Sequence, residues 1–114
     1  MRYGVADYLP EGKRREALLT RRGVALDIGG GGARLLITED IPIGTTLLVE
    51  FALPKVMGCP LILGEVVRKM RHQSGAHWII GLRFINVEQH LQDRIVEFVF
   101  KTEIRQQLRK HRYS

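Results

Sequence analysis

Between residues 23 and 85 the apolar side chains recur every second residue, in five short runs separated by glycine- and proline-bearing breaks. Period two sends alternate side chains to opposite faces of a strand, so each run can bury one face. Val24, Leu26 and Ile28 alternate with Ala25 and Asp27, which assigns the three apolar residues to the inner face. Leu35 and Ile37 alternate with Arg34 and Leu36, and Leu47, Val49 and Phe51 with Leu48 and Glu50. A fourth run covers Ile62 to Arg68, with Glu65 and Val66 on opposite faces. In the fifth, Trp78, Ile80, Leu82 and Phe84 share a face. The breaks are turn formers: Glu39 to Gly44, Pro54 to Pro60, and Gln73-Ser74-Gly75-Ala76 as a hairpin connection. Five half-buried strands at this spacing predict an all-β barrel or sandwich. A strand from residues 3–9 or 17–22 would make a sixth. Closing six short strands into a small antiparallel barrel removes their unpaired edges.

The period changes after Asn86. Leu91, Ile95, Phe98, Val99 and Thr102 recur at three and four, the spacing of one helical face. Asn86 is a good N-cap, and Gln89 completes a capping-box pattern. The helix is expected to run to about residue 111, with Lys101, Arg105, Arg109 and Lys110 in its last turns complementing the negative end of its dipole. A chain of 114 residues is one domain by length and long enough to bury one core. Its expected organisation is a basic arm or first strand over 1–22, a barrel over 23–86 and a C-terminal helix over 87–111.

Charge narrows the function. The formal net charge is +6, and its distribution is uneven. Residues 1–22 hold six basic and three acidic side chains, and residues 101–114 hold five basic and one acidic; the segment between carries seven basic and eight acidic. The excess positive charge therefore sits at the two ends, where it would attract a polyanion, an acidic protein surface or a phosphorylated small molecule. No apolar run is long enough to span a membrane or to serve as a signal peptide, and the chain reads as cytoplasmic.

Catalytic and metal-binding constellations are missing from the sequence. The four histidines, His72, His77, His90 and His111, do not pair at ligand spacing, and Cys59 is alone. The two serines, Ser74 and Ser114, have no nucleophile context, and the carboxylates are scattered over polar faces. The chain reads as a binding domain and not as an enzyme, with no metal and no cofactor. A nucleic-acid role is disfavoured because only 7% of residues are aromatic, and Phe51, Trp78 and Phe84 belong to the inward set.

The remaining feature is the run Gly29-Gly30-Gly31-Gly32 between two strands. No Gly-Lys-Ser/Thr follows it and no helix starts after it, so it is not a phosphate-binding P-loop. Consecutive glycines can take positive φ and present N–H groups to an anion. A bare turn needs fewer than four, which favours close approach of a ligand or another chain. Asp27 precedes the run and Arg34 follows it, both on the outer face, where they either form a cross-strand ion pair or meet a ligand. A carboxylate accepts from the N1–H and N2–H edge of guanine, and arginine stacks on a base or clamps phosphate. Asp27, Gly29, Gly32 and Arg34, with Arg14, Arg15, Arg21 and Arg22 of the basic arm, together suit a guanine nucleotide bearing phosphates.

These features, in this order, resemble the PilZ domain family. That family carries Asp or Asn, any residue, Ser, two of any kind and Gly on a strand-to-strand connection; here the stretch is Asp27-Ile28-Gly29-Gly30-Gly31-Gly32. Gly23-Val24-Ala25-Leu26 before it, Ala33-Arg34-Leu35 after it, Ile43-Gly44-Thr45, Gly64-Glu65-Val66-Val67, Gly81-Leu82-Arg83-Phe84-Ile85-Asn86 and the helix with Ile95, Phe98 and Phe100 fit as well. The resemblance implies a six-stranded antiparallel barrel with a C-terminal helix. It also implies a non-catalytic receptor for the bacterial second messenger cyclic di-GMP that relays the signal to a protein effector. Two positions depart from the pattern. Gly29 stands where the family has serine, and no Arg-x-x-x-Arg precedes Asp27; the one such spacing, Arg105 to Arg109, falls on the helix. A barrel of this kind that no longer binds the nucleotide and serves protein interaction or oligomerisation through its helix, with Phe98, Phe100 and Ile104 as anchors, is the alternative.

Overall fold

The strands follow the alternation, and the way the chain closes on itself positions everything else. The computed structural model describes residues 1–6, 15–53 and 58–100. Seven strands form one antiparallel sheet: β1 (Arg2–Val5), β2 (Arg21–Arg22), β3 (Val24–Ile28), β4 (Gly32–Ile37), β5 (Thr46–Glu50), β6 (Leu61–Arg71) and β7 (Trp78–Phe84). Their order is β2-β1-β5-β6-β7-β4-β3. Only Gly23 separates β2 from β3 in the chain, yet the two strands lie at opposite ends of that order. One continuous line of backbone therefore pairs with β1 through residues 21–23 and with β4 through residues 24–28. Gly23 N–H donates to the Met1 carbonyl at 3.0 Å, and the Met1 amino group donates to the Gly23 carbonyl at 2.9 Å. The sheet thus rolls into a nearly closed barrel. Counted by continuous lines of chain it has six strands, and both segments offered for the extra strand contribute to it.

The inward residues of the alternation make the core. Leu35, Ile37, Leu47, Val49, Phe51, Val66, Ile80 and Leu82 are buried together, and Phe51 meets Phe84 edge to face at 5.9 Å between ring centroids. A helix, α1, covers residues 89–100 and closes one end of the barrel. Its Ile95 is fully buried, and Leu91, Phe98 and Val99 pack beside it, as the spacing of three and four predicts. Residues 101–111 of the expected helix, Ile104 included, lie outside the described residues.

Two local expectations are corrected. Asn86 is not the N-cap: its φ is 51°, in the left-handed region that asparagine tolerates. The chain leaves β7 with Ile85 N–H bonded to the Leu63 carbonyl and turns at Asn86. The first helical bond runs from Gln92 N–H to the Glu88 carbonyl. Gln89 donates forward to Asp93 Oδ1 at 2.9 Å instead of reaching back. The second correction concerns β3. Ala25 pairs with Leu35 and Asp27 with Arg34, which leaves Leu26 as the extra residue of a β-bulge. The bulge breaks the period, so Val24 and Leu26 are 55% and 42% exposed, while Ile28, opposite Ala33, still packs on the core. Among the described residues no strand covers the free edge of β3, and a bulge at that edge discourages another chain from pairing there.

A second, smaller cluster lies outside the barrel. Leu48 belongs to the outward set of β5, yet it is buried with Ala6 and Leu19, flanked by Leu18, Leu61 and Leu63. The single 3₁₀ turn at Arg15–Leu18 crosses β1 there. Its backbone approaches so closely that a Cβ on Gly4 would overlap the Leu18 carbonyl.

Candidate functional site

The hairpin joining β3 to β4 is a two-residue connection. Gly29 N–H donates to the Gly32 carbonyl at 2.8 Å, which leaves Gly30 and Gly31 as the turn. None of the four glycines has a positive φ, so the conformational reason expected for them does not apply. One is required by close approach of this chain's own backbone, and a second lies against the helix. A Cβ on Gly32 would overlap the Leu82 carbonyl of β7, and one on Gly30 would come within 2.9 Å of Val96 Cγ2 on α1. The other two have room: a Cβ on Gly31 would meet nothing within 4 Å, and one on Gly29 only the Gly32 carbonyl at 3.9 Å. The turn is held down further by Phe84 N–H, which donates to the Gly31 carbonyl at 2.9 Å. The glycine run therefore lies flat between β7 and α1, with Gly29 and Gly31 open to the outside.

Asp27 and Arg34 flank this turn on facing strands. Arg34 Nε donates to Asp27 Oδ2 at 2.6 Å, and the two side chains are 53% and 60% exposed respectively. The cross-strand ion pair is thus made, and it uses one carboxylate oxygen and one guanidinium nitrogen. The second carboxylate oxygen and both terminal guanidinium nitrogens remain for an external partner. A pair so placed offers an acceptor and a donor fork in fixed relation.

Arg21 and Arg22 do not join that pair. Arg21 and Arg22 sit on β2, five or more residues up the same line of chain from Asp27, which is about 16 Å or more at strand rise. Arg21 is bound to Glu39 at 3.2 Å. Arg22 borders a separate hollow of about 270 Å³ with Val24, Leu36, Thr38 and His77. Arg15 begins the 3₁₀ turn that crosses β1, and Arg14 lies outside the described residues. Of the eight residues singled out from the sequence, Asp27, Gly29, Gly32 and Arg34 are brought together.

Beside the hairpin the outer face of β4, β7 and β6 forms a groove of about 570 Å³. Its floor is Ile79, Met70 and Val67 with the bare backbone of Gly81, and Arg34 and Arg68 border it. Met70 and Val67 are exposed apolar side chains that the barrel core does not use. Sequence reasoning missed Arg68 and this floor. The signal is the register: Arg34 pairs with Gly81 and Gly81 with Arg68, a row across three strands that appears only once their pairing is known.

Among the described residues no three His, Cys, Asp or Glu side chains gather as a metal site, and no helix is long and apolar enough to cross a membrane. His72 and His77 bracket the β6–β7 turn, sharing Ser74 Oγ at 3.0 and 3.4 Å. A search of the curated proteins finds no match. The family model for the PilZ domain matches residues 5–101, which takes in the whole barrel from the end of β1, the glycine hairpin and the described helix. With that match over most of its length, and with the barrel and terminal helix in place, the chain belongs to the PilZ domain family, a family of cyclic di-GMP receptor domains that bind and do not catalyse.

Proposed function

We propose that this chain is a cyclic di-GMP receptor domain, holding the nucleotide at the β3–β4 hairpin and passing the bound state to a protein partner. The observation that carries the reading is the Asp27–Arg34 pair, exposed at the family's motif position beside a groove with an apolar floor. Asp27 Oδ1 accepts from a guanine N1–H or N2–H, the free guanidinium nitrogens of Arg34 meet O6/N7 or a phosphate, and a base covers the floor. The open space at Gly29 and Gly31 lets the ligand approach the backbone. α1 is a suitable surface for relay, because Val96 touches the turn at Gly30.

The test is calorimetric titration with cyclic di-GMP, with GTP as control. The domain is expected to bind the cyclic dinucleotide selectively, and more weakly as salt rises. Asp27→Ala should weaken binding by about 1–3 kcal/mol through loss of the guanine hydrogen bonds. Gly29→Ser, which restores the family's hydroxyl where there is room for it, should strengthen binding. No selectivity over GTP, or an unchanged affinity in Asp27→Ala, would remove the proposal. A second reading, an interaction domain without nucleotide, is favoured by the exposed Val96 and Phe100 one turn apart on α1 and by the missing serine and arginine motif. It would show as a complete absence of binding together with loss of partner or self-association in Phe100→Ser.

A further inference from the structure

Most cations on the barrel surface are already committed. Arg2 is bound to Glu50, Arg21 to Glu39, Lys69 to Asp40 and Arg83 to Glu65, and Arg71 donates to the Gly75 carbonyl. Among the described strand residues, Arg22 and Arg68 alone of the arginines and lysines have neither a carboxylate nor a hydrogen-bonded acceptor. Arg22 lies five residues before Asp27 on the same line of chain, about 16 Å from it at strand rise. Arg68 lies in the row Asp27, Arg34, Gly81, Arg68 that crosses β3, β4, β7 and β6.

The stem of Arg68 stays beside Gly81 in that row. A Cβ placed on Gly81 would find Arg68 Cβ at 3.1 Å, Cγ at 3.7 Å and Cδ at 3.8 Å, so the stem of Arg68 packs against the space that a side chain at position 81 would take. Two strand spacings separate the Cα atoms of Arg34 and Arg68, about 10 Å. Arg34 Nε is held by Asp27 on the other side of β4, and Arg34 and Arg68 border the same groove with Gly81 between them, so a phosphate seated over Gly81 can meet the terminal nitrogens of both. Residues with side chains at position 81 would fill that place.

We infer that Arg68, acting with Arg34 across Gly81, is the phosphate clamp of this domain and takes the place of the N-terminal Arg-x-x-x-Arg that the chain lacks. The ligand it fits is a phosphodiester-linked dinucleotide, with one phosphate between the two guanidinium groups and an adjoining base on Ile79 and Met70. The inference rests on the receptor reading above for the identity of the nucleotide, and on the row of residues for the position of the phosphate.

The experiment is a titration of the whole chain, followed by calorimetry and by NMR of the Arg68 side-chain Nε–H and the Gly81 amide. Cyclic di-GMP and inorganic pyrophosphate are the two probes. With cyclic di-GMP, Arg68→Ala is expected to bind about 10- to 150-fold more weakly, the loss of a charge-assisted hydrogen bond pair. Arg68→Lys should recover part of that, since it returns the charge without the fork. Gly81→Ala should weaken binding with the charge intact, and Arg22→Ala should leave it within about twofold, inside the usual non-additivity of unconnected sites. Arg68→Ala binding as tightly as the parent, or Arg22→Ala losing as much as Arg68→Ala, overturns the clamp and leaves the receptor reading standing. If cyclic di-GMP gives no response but pyrophosphate shifts the Arg68 and Gly81 signals, the receptor reading falls and the clamp stands. Silence from both probes overturns both. An unchanged thermal midpoint in Arg68→Ala is expected of an exposed side chain and separates lost binding from lost fold.

Discussion

A carboxylate and a guanidinium 2.6 Å apart, each more than half exposed, stabilise a barrel by only about 0–1 kcal/mol. The Asp27–Arg34 pair therefore says little about why the fold holds and more about what the hairpin offers to a ligand. The glycines beside it divide the same way. Gly32 is structural, because any side chain there would collide with the Leu82 carbonyl, and backbone cannot rotate aside. Gly32→Ala is expected to cost about 1–3 kcal/mol, the overpacking range, as β4 is forced from β7. A Cβ at position 29 meets nothing nearer than 3.9 Å, and Gly29→Ser should stay within about 0.5 kcal/mol of the parent. Urea denaturation of both variants checks this, and equal losses would show that the hairpin is not seated as described. Two positions of the same run thus serve different ends: one lets strands meet, the other leaves a surface open.

At the scale of elements, the outward residues of the strands are divided between cover and exposure. Leu48 reads as an outward residue of β5, and the 3₁₀ turn makes it a core residue of a second cluster. Val24 reads as inward, and the bulge at Leu26 turns it out. α1 behaves as its period predicts, with Ile95 plugging the barrel and Phe100 left 62% exposed. Ile95→Ala is expected to destabilise the domain by about 2–5 kcal/mol, since a buried side chain is removed from a site that cannot collapse around it. Phe100→Ser should change stability by no more than about 0.5 kcal/mol. Thermal or denaturant unfolding distinguishes them; a small loss for Ile95→Ala would mean that α1 rests on the barrel without sealing it.

Across the whole molecule, the barrel is completed where the first described strand meets the line from β2 to β3. Tyr3 on β1 donates its hydroxyl to Glu39 Oε1 at 2.7 Å, and Arg21 on β2 holds the same oxygen at 3.2 Å. Three segments, β1, β2 and the turn that follows β4, are tied at one carboxylate. Burial of the ring, then the bond to Glu39, pushes the Tyr3 phenol well above its ordinary value of 10.0. The folded state therefore holds this proton more tightly than the unfolded chain does. Its contribution to stability is full below the unfolded value near 10 and is lost as pH rises through the higher folded one. The denaturation midpoint is expected to fall as pH is raised above about 10, with a smaller fall in Tyr3→Phe, which has no phenol to ionise there. Identical alkaline slopes for the two proteins would show that Tyr3 does not carry this dependence.

Period two in five runs, period 3.6 in one and turn residues between them were enough to read an all-β barrel closed by a terminal helix, because side-chain alternation is a property of the local backbone and is written residue by residue. The Asp27, Gly32 and Arg34 neighbourhood was legible for the same reason, as a hairpin brings residues seven apart face to face without help from the rest of the chain. What the sequence could not show is which strands lie side by side. Register decides that Arg68 shares a row with Arg34 across Gly81, that β2 and β3 close the barrel from its two edges, and that Arg21 and Arg22 end far from Asp27. Those relations join residues tens of positions apart, and they exist only once the burial of a common core has fixed the pairing of all the strands at once.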